Sequence, residues 1–350
     1  MNSFRFLAFA VFMILSVPLS AQTLYVDVIK GNDEAAGTVN APLASIGKAV
    51  SLANQFSGKA PITIKIASGL YTLTQPLTIH PASSQPITAK YTFEAMVMPD
   101  DTTWSPAKMP VIQGIADSNR TGNLKHASIS FQVERNHVVI KGLKFLGNPN
   151  PTSQYYYVLE RRDSTLTGLE ISQCYFIGEK NSAPIQGGVF AQGAGICIDH
   201  CIFYGVKNAV LVFQGLKDFS ITHSIIYGAY EGAVFYGYGQ SSIMPFTFSN
   251  NIIADCNYFW VGYRGVHTNY KFTNSLIAGN TFYLGFNEEE IMPDLLNKPI
   301  EKGVRKSGKV FFNEVNTKEI PKDYLNLSSS SAGSNIDAGI FKNRLFKQKP

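Results

Sequence analysis

The sequence predicts an all-β chain wound into a parallel β-helix, and three observations carry that expectation. Six segments align without gaps: IKGLKFLG from Ile140, ISQCYFIG from Ile171, IDHCIFYG from Ile198, ITHSIIYG from Ile221, FSNNIIAD from Phe248 and FTNSLIAG from Phe272. They recur every 23 to 31 residues. A variable period in the twenties, with short β runs and no helix between them, suits coils of a solenoid. The composition agrees. Aromatic residues reach 12%, with 24 Phe and 17 Tyr, and only 16% of the 350 residues are charged, which favours strands around a large core. A leucine-rich repeat would need a leucine consensus, and a β-sandwich would show hairpins in place of a repeated column.

Taken in order, the chain opens with a targeting segment. Arg5 precedes an apolar run from Phe6 to Val17, followed by Pro18-Leu19-Ser20-Ala21. A basic start, a short apolar core and a small final residue predict a secretory signal peptide over 1–21, cleaved after Ala21. The run falls short of the roughly 20 apolar residues that span a bilayer, and no later segment is longer. Residues 22–350 are expected to form one exported domain, acting as a monomer.

Leu43, Ile46, Val50 and Ala53 follow helical spacing, with Pro42 tolerated in a first turn. A short helix here would cover the open end of the coil stack, whose edges are otherwise unpaired. PITAKYTF at 86–93 and MPVIQG at 109–114 are expected to be early strands. In the six repeats the first and sixth positions are large and apolar and should stack inside. The third and fourth positions are small or polar, as in Gln173-Cys174, His200-Cys201, His223-Ser224 and Asn250-Asn251. They mark a tight bend, because Asn tolerates the left-handed conformation and stacked side chains can bond from coil to coil. A further strand follows in each coil. Val189, Leu211, Phe235, Val261 and Leu284 are expected to face inward. Gln192, Gln214, Tyr236, Tyr238, Trp260, Arg264, Tyr283 and Asn287 are expected to face solvent. Residues 288–309 are charged and are expected to form a long loop.

The N-terminal elements Tyr25-Val26-Asp27, Gly31-Asn32-Asp33, Gly37-Thr38, Pro42-Leu43, Ile46, Lys48-Ala49, Gly69-Leu70-Tyr71 and Pro76-Leu77 resemble the opening of secreted right-handed parallel β-helix proteins of the pectate-lyase-like superfamily. The segment from Asp323 to Phe341 resembles their closing segment. The resemblance implies a right-handed helix and a polysaccharide held along the sheet formed by the third strand of each coil. It does not name a reaction. The Asp clusters of the superfamily's calcium sites and the paired Asp motifs of polygalacturonases are missing. No cofactor is therefore expected, and calcium has no acidic cluster to support it.

Two chemistries fit such a groove. A lyase needs a base and a cation to neutralise a uronate carboxylate, and Arg264 with His267 or Tyr238, or Arg161 or Arg162, would serve. A glycosidase needs two carboxylates, and Glu160, Asp163 and Glu231 are at hand. Tyr236, Trp260, Tyr283, Gln192, Gln214 and Asn287 would line the sugar-binding surface. The expected function is an exported polysaccharide-active enzyme, a lyase or glycoside hydrolase, on an acidic glycan. A non-catalytic glycan-binding or scaffold protein is the alternative. The net charge of +5 comes without the basic cluster of a nucleic-acid binder. His200 and His223 share the bend column and are expected to be ladder rungs, with metal binding the alternative. Cys174 and Cys201 share the next column, within disulfide reach in an exported chain or as a pair of buried thiols.

Overall fold

The structure is a computed structural model that describes residues 22–56, 60–81, 88–119, 126–237, 245–263, 270–286, 299–313 and 322–342. The leader expected at 1–21 lies outside these residues, as do Tyr238, Arg264, His267 and Asn287. Among the described residues, strands gather into three parallel sheets of ten, eight and eight strands. Successive strands of one sheet come from successive coils, which is the right-handed parallel β-helix.

The first sheet includes Val138–Lys141, Thr167–Ser172, Ala194–Asp199, Phe219–Thr222 and Phe246–Ser249. Its register stacks Phe93, Ile140, Ile171, Ile198, Ile221 and Phe248 in one internal column. Phe272 continues it, its ring 5.2 Å from that of Phe248. The second sheet stacks Ile112, Phe145, Phe176, Phe203, Ile226, Ile253 and Ile277. Phe176 and Phe203 lie face to face at 4.4 Å. Each such side chain contributes about 1.5–3 kcal/mol on burial, so the repeated columns are the main source of stability.

Between these two sheets the chain turns at Gln173, His200, His223, Asn250 and Asn274, all with φ between 47° and 56°. The residue after each turns inward and is fully buried: Cys174, Cys201, Ser224, Asn251 and Ser275. These form a polar ladder. Asn251 accepts from Ser224 N at 2.9 Å and donates to Ile221 O at 2.8 Å, and its own N donates to Ser275 Oγ at 3.0 Å. The Asn-Asn pair is thus one left-handed residue and one ladder rung. All four cysteines are free thiols, and burial pushes the Cys201 thiol up.

The third sheet corrects the expected facing. Val189 pairs with Val210, Val210 with Val234, Val234 with Trp260, and Trp260 with Leu284. Leu211, Phe235 and Val261 therefore belong to the next column, beside Glu160 and Phe190. The glycine after the strand is a poor anchor. Four residues separate Val189 from Gly193, but five separate Val210 from Gly215. A one-residue slip in a strand exchanges its two faces. Trp260 and Tyr236 are fully buried, against the expectation that both would face solvent.

At the N-terminal end, helix α1 (Ile46–Ala53) buries Ile46, Ala49, Val50 and Ala53 against the first strands. Ser45 caps it, and Asp33 fixes Ser45 by accepting from its N and Oγ at 2.8 and 2.7 Å. Pro42 and Leu43 precede this helix, and Leu43 bridges to Val26. In the region expected as loop, Ile300–Lys302 extends the first sheet by pairing with Lys271–Thr273. The C-terminal segment lies along the outside of the second sheet. There Leu325, Ala338, Ile340 and Phe341 cover Tyr175, Ile202, Ile225, Ile252 and Leu276.

Candidate functional site

On the outer face of the third sheet Glu160, Leu211, Phe235 and Val261 are buried as core residues are, and Arg162 at the end of its strand is the group that a bound chain could meet. Strand Tyr155–Arg161 sets Glu160 between Gln132 and Phe190 on its neighbouring rungs. Arg162 follows, donating from Nε to Glu160 Oε1 at 2.7 Å. Its guanidinium lies 5.1 Å above the Phe190 ring, an arrangement that stacks a planar cation on an aromatic face. The Arg162 side chain is 48% exposed and that of Glu160 only 3%. The carboxylate is a buried anchor and the guanidinium is reachable from solvent.

Phe190 meets Tyr157 edge-on at 5.7 Å and Phe213 at 5.3 Å, and Phe213 meets Tyr263 at 5.6 Å. This edge-to-face run crosses several coils beside Arg162. Gln192 is half-buried and Gln214 exposed, each near the end of its strand. Their carbonyls accept from Arg161 Nε and Gly193 N, both at 2.7 Å. The structure thus brings Glu160, Arg162, Gln192 and Gln214 to one end of one sheet. Sequence reasoning missed Tyr157, Phe190 and Phe213. Placing Val210, in place of Leu211, in the inward column would have put Phe190 and Phe213 outside.

Arg161 and Arg162 divide sharply. Arg161 is fully buried and donates to the Gln192 and Ala194 carbonyls at 2.7 and 3.1 Å. Burial pushes its guanidinium down to about 10, and nearby Asp163 opposes the shift. It ties the corner between sheets and does not reach the outer face. The acids do not converge either. Glu231 accepts from Asn208 Nδ2 at 2.9 Å and pairs with Lys207 at 3.3 Å. It stands at the start of strand Gly232–Tyr236, three rungs from Glu160 and about 14 Å away by strand spacing alone. Asp163 accepts from Thr165 N and Oγ1 in its own turn.

The remaining expected contacts are corrected. Tyr236 and Trp260 pack in the core 5.4 Å apart, with Phe246 stacked on Trp260 at 4.7 Å. Tyr283 is half-buried beside Phe259 and Phe272, its hydroxyl on Glu301 and Lys306 Nζ 4.2 Å from its ring centre. It closes the last coil and stands apart from the Arg162 face.

No family model and no curated protein matches the chain. Among solved structures, the pectin methylesterase from Aspergillus niger is similar in two forms. The deglycosylated form aligns with a TM-score of 0.40 at 14% identity, and the penultimately deglycosylated form with 0.38 at 13%. Each covers 89% of this chain and 91% of the other. At these scores the likeness decides nothing about activity, and the fold rests on the strand register itself. No helix among the described residues is long and apolar enough to cross a membrane.

Proposed function

We propose that the protein is an exported, polysaccharide-active β-helix protein that holds an acidic glycan against the outer face of the third sheet. The observation that carries this reading is Arg162. An exposed guanidinium, oriented by Glu160 and stacked on Phe190, is suited to a carboxylate or sulfate on a sugar whose apolar face rests on neighbouring aromatic edges. Between the two reactions, β-elimination fits better than hydrolysis. Glu160 is buried against Arg162, and Glu231 is farther from it than the 5–10 Å or so that flanking glycosidase carboxylates need. Elimination asks for a cation that neutralises the uronate, which Arg162 has the reach to supply, and for a base that takes the proton beside the carboxylate; Tyr238 and His267, the expected bases, lie outside the described residues.

The test incubates the mature protein with uronate-containing and sulfated polysaccharides, following unsaturated-product absorbance and reducing ends separately. Absorbance growing in step with reducing ends supports a lyase. Reducing ends without absorbance return the hydrolase. Retention in affinity electrophoresis without products selects the non-catalytic reading. An acidic glycan retained equally by Arg162→Ala and wild type removes the site.

A further inference from the structure

The bend column holds a polar cluster remote from the third sheet's face. Asp199 ends strand Ala194–Asp199, and its Oδ1 accepts from Thr222 Oγ1 at 2.8 Å and lies 2.9 Å from His223 Nδ1. His200 Nδ1 stands 3.0 Å from the same oxygen. That approach lies off the line a hydrogen bond needs, and neither ring nitrogen of His200 has a hydrogen-bond partner. His200 is only 5% exposed, and a buried polar group left unsatisfied is destabilising. Its column neighbours behave differently. Gln173 donates to Asp100 Oδ2 and Ile340 O, and Asn250 reaches His223 Nε2. A plain ladder rung explains those residues and leaves His200 unexplained.

The two imidazoles lie nearly parallel, 4.6 Å between centroids at 15°. Both residues are in the left-handed region, with φ of 52° and 51°. Parallel rings point their lone pairs the same way, so one imidazole turns about its Cβ–Cγ bond when both Nδ1 atoms meet one ion. One donor atom from each of Asp199, His200 and His223 lies within 4.8 Å of the others. We propose that Asp199, His200 and His223 form a binding site for a divalent transition-metal ion of the zinc class. The donors are Asp199 Oδ1 and the Nδ1 atoms of the two histidines. Two imidazoles and a carboxylate suit zinc, nickel or copper, whereas calcium and magnesium take oxygen donors. The 2.9 and 3.0 Å separations from Asp199 Oδ1 come near the edge, about 3.3 Å, of a tetrahedron around zinc at ordinary bond lengths.

The protons balance. Asn250 Nδ2, 3.1 Å from His223 Nε2, donates there and places the ring proton on Nδ1, facing Asp199. An ion takes the Nδ1 lone pair. The ring proton then moves to Nε2, where Asn250 accepts it by turning its amide. Lys342, on the C-terminal segment, sits 3.1 Å from Asp199 Oδ2. Its charge satisfies the carboxylate without an ion and opposes one that enters.

The test uses the mature protein without a polyhistidine tag, stripped with chelator and titrated with zinc chloride by calorimetry and with cobalt chloride by visible absorption. One ion per chain and an intense, tetrahedral-type cobalt band are expected. His200→Asn and His223→Asn keep a residue that the column accepts at positions 250 and 274. They should keep the fold, weaken zinc binding by about 100-fold and lose the zinc-induced rise in melting temperature. Lys342→Ala should tighten it several-fold, an effect that a purely structural cluster would not produce. A wild-type protein that takes up no zinc overturns the site, as does equal uptake in both Asn variants. If the variants fail to fold, a weak, aqua-like cobalt spectrum of the wild type overturns it.

Discussion

Trp260 and Arg162 show how a single position sets the role of a side chain. Trp260 is fully buried among Tyr236, Phe246, Phe248 and Phe272. Trp260→Ala is expected to cost about 3–5 kcal/mol through lost packing and the cavity left behind, read as a lower denaturant midpoint. Arg162→Ala combined with Glu160→Gln is expected to do the reverse. Arg162 is half-exposed but its partner Glu160 is buried, so Arg162→Ala alone would strand a buried carboxylate. With that carboxylate neutralised, the midpoint should change little while acidic-glycan retention falls. Loss of the midpoint in the double variant with retention intact would exchange the two assignments. Asp199 adds a pH dependence. Burial alone would raise its carboxyl, but the contacts from His200, His223 and Thr222 outweigh burial and hold it well below the usual carboxylate range. The folded state therefore binds fewer protons than the unfolded chain. The stabilisation is complete above the unfolded value, near about 4, and is lost as pH falls. Asp199→Asn should flatten the acid limb of a stability–pH curve, and an unchanged limb would place the acid sensitivity elsewhere.

Among the elements, the bend and the C-terminal segment carry consequences that single residues do not. The bend was legible in the sequence because its constraint is local. A left-handed φ every coil admits Asn, His, Gln or Gly, and this restriction appears as a column of such residues. The third-sheet strand was less legible because its inward column mixes Val with Trp, and its outward column mixes Glu with Phe and Leu. Hydrophobicity does not separate the two faces there. The C-terminal segment was recognised as a closing element, but its seat was not. The outer residues of the second sheet, Tyr175, Ile202, Ile225, Ile252 and Leu276, are as apolar as the inner ones, and this second apolar column is the mark of a covered face. Tyr175 Oη donates to Tyr324 O at 2.8 Å and Gly339 N to His223 O at 2.9 Å, which fixes the segment in place. Truncation before residue 322 is expected to bare this column. Dye binding to apolar surface should rise and the melting temperature should drop. A truncated chain that melts like the full one would make the covering dispensable.

At the scale of the whole molecule, the coils touch mainly their neighbours, so stability is close to a sum of rungs and rung-to-rung interfaces. The central rungs are enclosed on both sides by columns such as Ile171, Ile198 and Ile221, all fully buried. The N-terminal end is closed by α1, whereas the last first-sheet strand, Ile300–Lys302, is exposed at every residue. Opening should therefore begin where a rung has one partner and little apolar burial. In native-state hydrogen exchange, the amides of Ile300–Lys302 are expected to exchange first and those of Thr167–Ser172 and Ala194–Asp199 last, with Gln22–Val26 protected by the α1 cap. Removing that cap by Ile46→Asp should lower protection at Gln22–Val26 and Ile62–Ile66 and leave the central rungs unchanged. Equal loss of protection along the whole stack would mean that the coils unfold as one cooperative unit, and the rung-by-rung account of stability would be wrong.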